Sequence, residues 1–450
     1  MKQVRQRTFL VGLLVLLLVI GSGIFCIKYM VSGKAWANFS ANEHAFSDGR
    51  LASGQILDRN GVLLYDAVSG TYIDDGTIRR ATLHAVGDRD NNISTSAKAA
   101  LRDHLIGYNI LTGTTTAGHK LFLTIDAELN RAAYKALDGR KGVVAVYNYK
   151  TGEILCMVSS PTFDPVDPPE IRDGDSRYEG VYLNRFLSSA FVPGSVFKVV
   201  TTAAAIENLP DVFERRFTCT GSTEIGGETI TCYHAHGEMD LYGALASSCN
   251  CVYAQLAVEL GSDTLQQYAE SAGLLDTHSV SGITTAAGSF EGGTDGELGW
   301  AGVGQHSDLV NPCAILTMMG AIASSDPAAQ PRLIARETSM SGASLLSSGH
   351  SDSFSMWKSS TRQLLRQMLR NNVVAEYGQS MFGDLAVCAK SGTAEVGGGQ
   401  TPHSWFAGFL DDDAHPLAFV VLVENGGFGV SAAGSVAARV LEAAAADIGE

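Results

Sequence analysis

Several things are scarce in this sequence, and each shortage narrows the field. Charged residues make up only 18% of its 450 positions, with 32 Lys and Arg against 47 Asp and Glu, a net charge of −15. A surface this acidic repels phosphate backbones, and no cluster or stripe of Lys or Arg follows the N-terminus, which speaks against nucleic-acid binding. Eight cysteines over this length do not make a disulfide scaffold. Eleven prolines and no internal repeat exclude a collagen-like or low-complexity fibre. What is present is 45% hydrophobic residues with 8% aromatics, enough to rule out global disorder and to fill the cores of roughly two to four domains.

Residues 9–27 carry no charge and are mostly Leu, Val and Ile, close to the roughly 20 apolar residues that cross a bilayer. Lys2, Arg5 and Arg7 precede this run, so a tail of residues 1–8 is expected in the cytoplasm, a single-pass membrane anchor at 9–31, and the remainder outside the cell. Ala35-Trp36-Ala37 resembles a signal-peptide cleavage site. The apolar run exceeds the usual h-region, however, and Lys28 and Lys34 separate it from Ala37, which favours a retained anchor.

Beyond the anchor the chain divides near residue 141. Residues 32–140 mix Gly, Asp, Asn and Thr with short apolar runs; residues 54–64 read as a hairpin around Asn60-Gly61, and 97–105 and 127–137 as helices. From Gly142 the apolar runs 143–147 and 154–158 form a second hairpin, and further strands are expected at 405–410 and 418–423. Ala-rich helical segments at 195–208, 241–260, 311–323 and 358–370 lie between them. Strands at both ends with helices between them predict one α/β domain over 141–450 whose sheet is closed by its first and last strands.

Three short motifs concentrate chemistry. Ser195-Val196-Phe197-Lys198 opens a helix after Pro193-Gly194, which puts a hydroxyl and an amine one turn apart beside the free N–H groups of a helix start. Burial could leave that amine neutral and able to activate the serine. Taken alone this pattern is cheap, and a helix cap with a solvated lysine is the blander reading; a second copy occurs at Ser355-Met356-Trp357-Lys358. Ser248-Cys249-Asn250 offers a proton-relaying hydroxyl and an amide that can bind another amide, or else a plain N-cap. Lys390-Ser391-Gly392-Thr393 joins a cation, two hydroxyls and a bare backbone, as a carboxylate docked along a strand edge requires. An ordinary turn is the alternative, and Lys150-Thr151-Gly152 is a decoy. The order decides between these readings. Ser-x-x-Lys, Ser-x-Asn and Lys-Ser/Thr-Gly follow one another as in penicillin-binding proteins and class A β-lactamases, and the decoys break that order.

With these motifs the chain resembles the class B penicillin-binding proteins, monofunctional peptidoglycan D,D-transpeptidases, over nearly its whole length. Asp58-Arg59-Asn60-Gly61, Leu123-Thr124-Ile125-Asp126, the 142–165 hairpin region, Asn184-Arg185, Gly302-Val303-Gly304-Gln305, Thr393-Ala394-Glu395 and Trp405-Phe406-Ala407-Gly408 add to the likeness. The resemblance implies a penicillin-binding-protein and serine β-lactamase-like fold, an antiparallel sheet with helices on both sides plus a helical subdomain. A transmembrane helix and a small mixed α/β pedestal at 32–140 would precede it. It implies that Ser195 attacks the penultimate D-Ala carbonyl of a stem peptide and that Lys198 is the base. Ser248 would shuttle the proton, Lys390 support the site electrostatically, Asn250 bind the acyl side, and Ser391, Gly392 and Thr393 dock the substrate. An amine of a second stem peptide would take the acyl group, and β-lactams would acylate the same serine. No metal or organic cofactor is expected. The implied partners are D-Ala-D-Ala stem peptides, β-lactams, the lipid bilayer and a membrane glycosyltransferase of the shape, elongation, division and sporulation family. Ser391 stands where the family usually has Thr, which keeps the hydroxyl, and Cys249 is a common variant.

The alternatives are a D,D-carboxypeptidase or β-lactamase-type hydrolase, or a non-catalytic scaffold or antibiotic sensor. No Glu-x-x-Leu-Asn loop follows Ser195 as class A β-lactamases have, and the eight residues before Phe9 leave a sensor no signalling part. Cys219 and Cys232, with His234 and His236 close behind, leave three readings open: a local disulfide, free thiols or a metal. Their spacing is not that of a standard zinc finger. Cys156, Cys251, Cys313 and Cys388 read as core residues.

Overall fold

The computed structural model describes residues 1–37, 46–47, 50–109, 113–114, 118–172, 174–325, 327–347, 353–354 and 356–448. At the N-terminus Lys2–Ala37 is one helix. Its segment Lys2–Gly33 is long and apolar enough to cross a bilayer, and none of its most apolar window is buried against the rest of the chain.

The central sheet has five strands: β1 (Gly142–Asn148), β2 (Ile154–Ser160), β3 (Val387–Ala394), β4 (His403–Leu410) and β5 (Leu417–Val423). They run β2-β1-β5-β4-β3, every neighbouring pair antiparallel, so the first hairpin lies beside the last strand and β3 is an edge. The strands read as unbroken apolar runs because both faces are covered. Side chains alternate across the sheet. Val144, Val146, Phe419 and Val421 pack with Leu129, Ala133, Val436 and Val440 of the helices Ala127–Leu137 and Ser435–Ile448. Val143, Ala145, Val420 and Leu422 face a larger core that includes the wholly buried helix Pro312–Ala323 and the helix Lys198–Asn208.

A second sheet orders six strands as Ser344–Ser347, Ile334–Ser339, His119–Leu123, Gln55–Leu57, Leu63–Asp66 and Thr71–Tyr72. The predicted hairpin is present: Asp58 Oδ1 accepts the N–H groups of Asn60 and Val62, and Gly61 takes φ +88° to close the turn. Two of the six strands come from residues 334–347, within the stretch assigned to the catalytic domain, so the two sheets exchange chain rather than meeting at one cut near 141. Glu337 secures that return, its carboxylate held by His104 Nδ1 at 2.8 Å and His119 Nδ1 at 2.6 Å. The expected helix over 97–105 is two short turns, Ala97–Ala100 and Arg102–Leu105.

Candidate active site

Pro193-Gly194-Ser195 forms a tight turn wedged between strand β3 and residues 302–305. Gly194 adopts φ +53°, donates its N–H to Gly304 O at 2.8 Å, and opens a single 3-10 turn, Gly194–Val196, before the helix Lys198–Asn208. The approach to β3 leaves no room for side chains: a Cβ on Gly194 would lie 2.8 Å from Thr393 O, and one on Gly392 would lie 3.0 Å from Val196 Cγ2. Trp405 Nε1, on β4, fixes the incoming segment by donating to Val192 O at 2.9 Å. Ser195 is thereby half-exposed while Lys198 is fully buried.

Lys198 Nζ donates to Ser248 O and Asn250 Oδ1, both at 2.6 Å, and lies 3.2 Å from Ser248 Oγ. From the other side Lys390 Nζ reaches the same Ser248 Oγ at 3.0 Å and donates to Ser391 O at 2.9 Å. Ser248 can sit between the two amines because the helical segment expected over 241–260 breaks there. The chain leaves the helix Leu241–Ala246, takes φ +55° at Ser248, and restarts as Asn250–Leu260. Burial, with no carboxylate to offset it, lowers the Lys198 pKa to about 7. Burial lowers Lys390 well below its ordinary value too, and the neighbouring Lys198 charge adds to that. A neutral amine has two hydrogens and one lone pair. With Ser248 O and Asn250 Oδ1 taking both hydrogens, the lone pair of Lys198 is left for a hydroxyl proton. Among the described residues none of the hydrogen bonds of Lys198 goes to Ser195, one turn away.

The edge of β3 supplies the rest. The Ser391 N–H and Oγ both donate to Tyr377 OH at 3.1 Å, so the Ser391 N–H points away from β4. Backbone groups alternate along a strand, so the Thr393 N–H also faces outward, on the side where Gly194 packs. Thr393 Oγ1 accepts from the Gly429 N–H at 3.3 Å, which leaves its own hydrogen free to donate. Asn250 Nδ2 donates to Thr231 O at 2.7 Å and keeps a second hydrogen.

All eight residues singled out from the three motifs, Ser195, Lys198, Ser248, Asn250, Lys390, Ser391, Gly392 and Thr393, thus converge on one cleft between the edge strand and the helical layer. The decoys do not. Lys150 is exposed and paired with Asp413 at 2.8 Å, and Lys358 is exposed and pairs with Glu207 at 3.4 Å; Ser355 lies outside the described residues. Tyr377, which ties Ser391 to the helical layer and lies 3.5 Å from Lys390 Nζ, carries no sequence motif. All eight cysteines are free thiols, so Cys219 and Cys232 form no disulfide. Together with Cys249 and His236 they bring four ligand atoms within 4.8 Å of one another, directly behind Ser248, a grouping in which the sequence offers Cys219, Cys232 and His236, but not Cys249, as possible ligands.

The penicillin-binding protein transpeptidase domain, as a family, matches residues 142–444. The peptidoglycan D,D-transpeptidase PbpA of Mycobacterium tuberculosis is 28% identical over 370 residues, which span 75% of this chain and 74% of that protein. Its Mycolicibacterium smegmatis counterpart is 29% identical over 362 residues, 73% and 72% of the two chains. Among solved structures, penicillin-binding protein A from M. tuberculosis as a ceftriaxone acyl-enzyme complex superposes with a TM-score of 0.76 at 24% identity, covering 87% of this chain and 98% of that one. The D,D-transpeptidase domain of a peptidoglycan glycosyltransferase from Eggerthella lenta superposes at 0.74 with 25% identity, covering 88% and 98%.

Proposed function

The chain belongs to the penicillin-binding protein transpeptidase family, and on that premise we propose that it is a serine peptidoglycan D,D-transpeptidase that β-lactams acylate. The observation that carries the reading is the continuous contact Lys198–Ser248–Lys390 behind a half-exposed Ser195 at a strand edge. Ser195 Oγ gives its proton to the neutral Lys198 and adds to the penultimate D-Ala carbonyl. The N–H groups of Ser195 and Thr393 hold the oxyanion. Ser248 passes the proton on to the departing D-Ala amine, and Lys390 fixes the Ser248 oxygen. Thr393 docks the terminal carboxylate through its free hydrogen, Ser391 turns its hydroxyl from Tyr377 to the same carboxylate, and Asn250 uses its free amide hydrogen on the acyl side. The amine of a second stem peptide then reverses these steps and closes the cross-link.

In a β-lactam the leaving nitrogen stays tethered to the acyl group, so the same attack ends in a lasting acyl-enzyme. The N-terminal helix anchors the protein, with Lys2, Arg5 and Arg7 on the cytoplasmic side and the cleft outside. A membrane glycosyltransferase of the shape, elongation, division and sporulation family is the natural partner, since a transpeptidase needs freshly made glycan strands. Labelling the full chain with fluorescent penicillin is the test. Ser195→Ala should abolish the label and Ser355→Ala should leave it intact; the reverse pattern refutes the assignment. With stem-peptide substrates, dimer formation supports transfer, whereas free acid without dimer would make the protein a carboxypeptidase.

A further inference from the structure

We propose that Cys219, Cys232, Cys249 and His236 bind one zinc ion, which clamps the Ser248-Cys249-Asn250 segment to the strands at 217–239. The four residues arrive from separate places. Cys219 ends the strand Phe217–Cys219, and His236 precedes its partner Gly237–Met239. Cys232 follows the strand Glu228–Thr231, and Cys249 caps the helix Asn250–Leu260. All four ligand atoms lie within 4.8 Å of one another, and three of their six pairs have the spacing of a tetrahedron around a metal. A Zn–S bond of about 2.3 Å puts sulfurs about 3.8 Å apart, and with a Zn–N bond of about 2.0 Å the nitrogen falls about 3.5 Å from a sulfur. Cys232 Sγ lies 3.7 Å from both Cys219 Sγ and Cys249 Sγ, and His236 Nδ1 lies 3.4 Å from Cys219 Sγ.

A disulfide does not account for this arrangement. Cys232 Sγ has three sulfurs around it, Cys251 Sγ being 3.5 Å away, and a disulfide could join it to only one. Cys251 takes a supporting place. Its N–H donates to Cys232 Sγ at 3.4 Å, as a thiolate ligand wants, while its own thiol turns to Ile230 O at 3.9 Å. Cys219 and Cys249 are buried, whereas Cys232 and His236 keep an edge open by which an ion can enter. Three thiolates and an imidazole gathered this closely select zinc over the harder divalent cations, and binding releases the thiol protons.

The consequence for the cleft follows from position, and this part rests on the transpeptidase reading. Cys249 is flanked by the two residues that hold Lys198, and the Asn250 amide already bonds to Thr231, next to Cys232. A metal that fixes Cys249 fixes the acceptors of the Lys198 amine.

The test begins with metal content of the full chain, purified in detergent under reductant and offered zinc sulfate. About one zinc per chain is expected, along with thiolate-to-metal charge-transfer bands when cobalt(II) replaces it. Cys219→Ser should lose the metal and Cys251→Ser should keep it. Only trace zinc in the wild type, or full zinc in Cys219→Ser, overturns the site, and the cobalt spectrum of the wild type needs no variant to fold. Removing zinc by chelation should slow penicillin acylation about ten-fold or more, with recovery on adding zinc back. An unchanged rate overturns the clamp. A chain inert to penicillin with and without zinc would fail the transpeptidase reading instead, and the metal count would still decide the site.

Discussion

The acylation rate should follow the protonation of Lys198. An amine at the ordinary lysine value of 10.5 would be neutral in about one molecule in 3,000 at pH 7, whereas one at about 7 is neutral in half. Burial therefore makes the base roughly three orders of magnitude more available. Its surroundings pull both ways. Burial disfavours its charge, while any negative charge on Cys249, Cys232 or Cys251 and the Tyr253 ring face 5.4 Å away favour it, and a charged Lys198 in turn lowers Lys390 across Ser248. Because the two lysines share one hydroxyl, the observed midpoint belongs to the pair. The second-order rate of penicillin acylation, measured by stopped flow between pH 5 and 9, should rise through a midpoint near 7 and level off. At pH 5 it should be about 100-fold below the plateau. Lys198→Arg, whose cation cannot deprotonate, should be as inert as Lys198→Ala. A rate flat across this range, or one still climbing at pH 9, would refute the neutral-amine base. The linkage has a definite sign. The folded chain binds fewer protons at Lys198 than the unfolded one, so this group's destabilising effect is full below about pH 7 and is relieved as pH rises toward 10.5.

Gly304→Ala should act on the nucleophile from behind. Gly304 sits at φ +88°, and a Cβ there would overlap the Gly194 carbonyl and come within 2.7 Å of Phe197 Cβ. A loss of about 1–3 kcal/mol in urea unfolding is expected, with acylation at least about ten-fold slower; a wild-type rate would show that the turn is not held by this contact. Glu337→Gln probes the exchanged strand. Burial alone would raise the Glu337 pKa, but its bonds to His104 and His119 bring it down to about 2. The folded chain thus binds fewer protons there. Wild type should exceed the variant by up to about 3 kcal/mol at pH 6, and the gap should close as pH falls from 4.5 toward 2. A gap that stays constant with pH would mean the carboxylate does not hold the strand.

What could be read in advance was whatever a local pattern encodes. Strands β1, β2 and β5 are apolar runs because both their faces are buried, and such runs stand out in any sequence. The three motifs were legible through their order alone, since two of them have a decoy and the third could be a plain helix cap. Other features depend on partners distant in the chain. Strands Ile334–Ser339 and Ser344–Ser347 are rich in Ser and Thr, with no periodicity that distinguishes a strand from a loop, and only pairing with His119–Leu123 makes them strands. Tyr377 acquires its place from Ser391 and Lys390, and nothing near it in sequence forecasts a phenol in the cleft. Cys249 reads as the variable middle residue of Ser-x-Asn until the fold sets Cys219, Cys232 and His236 beside it.

The shared hydroxyl explains why two lysines are tolerated in one buried cleft. Ser248 Oγ has one hydrogen to give and two lone pairs to receive with. Lys390, which also donates to Ser391 O, gives a hydrogen to that oxygen. If both amines were charged, two cations would face one oxygen with most solvent excluded, at a Coulombic cost that neither Ser248 O nor Asn250 Oδ1 cancels. If Lys198 is neutral, the Ser248 hydrogen can turn to its lone pair, and every group is satisfied. Once Ser195 has handed over its proton, Lys198 is charged and that arrangement is no longer tolerable. The Ser248 hydrogen must turn outward, toward the place where a leaving amine stands in the proposed reaction. The burial that makes Lys198 a base before attack is therefore also what drives its proton out afterward.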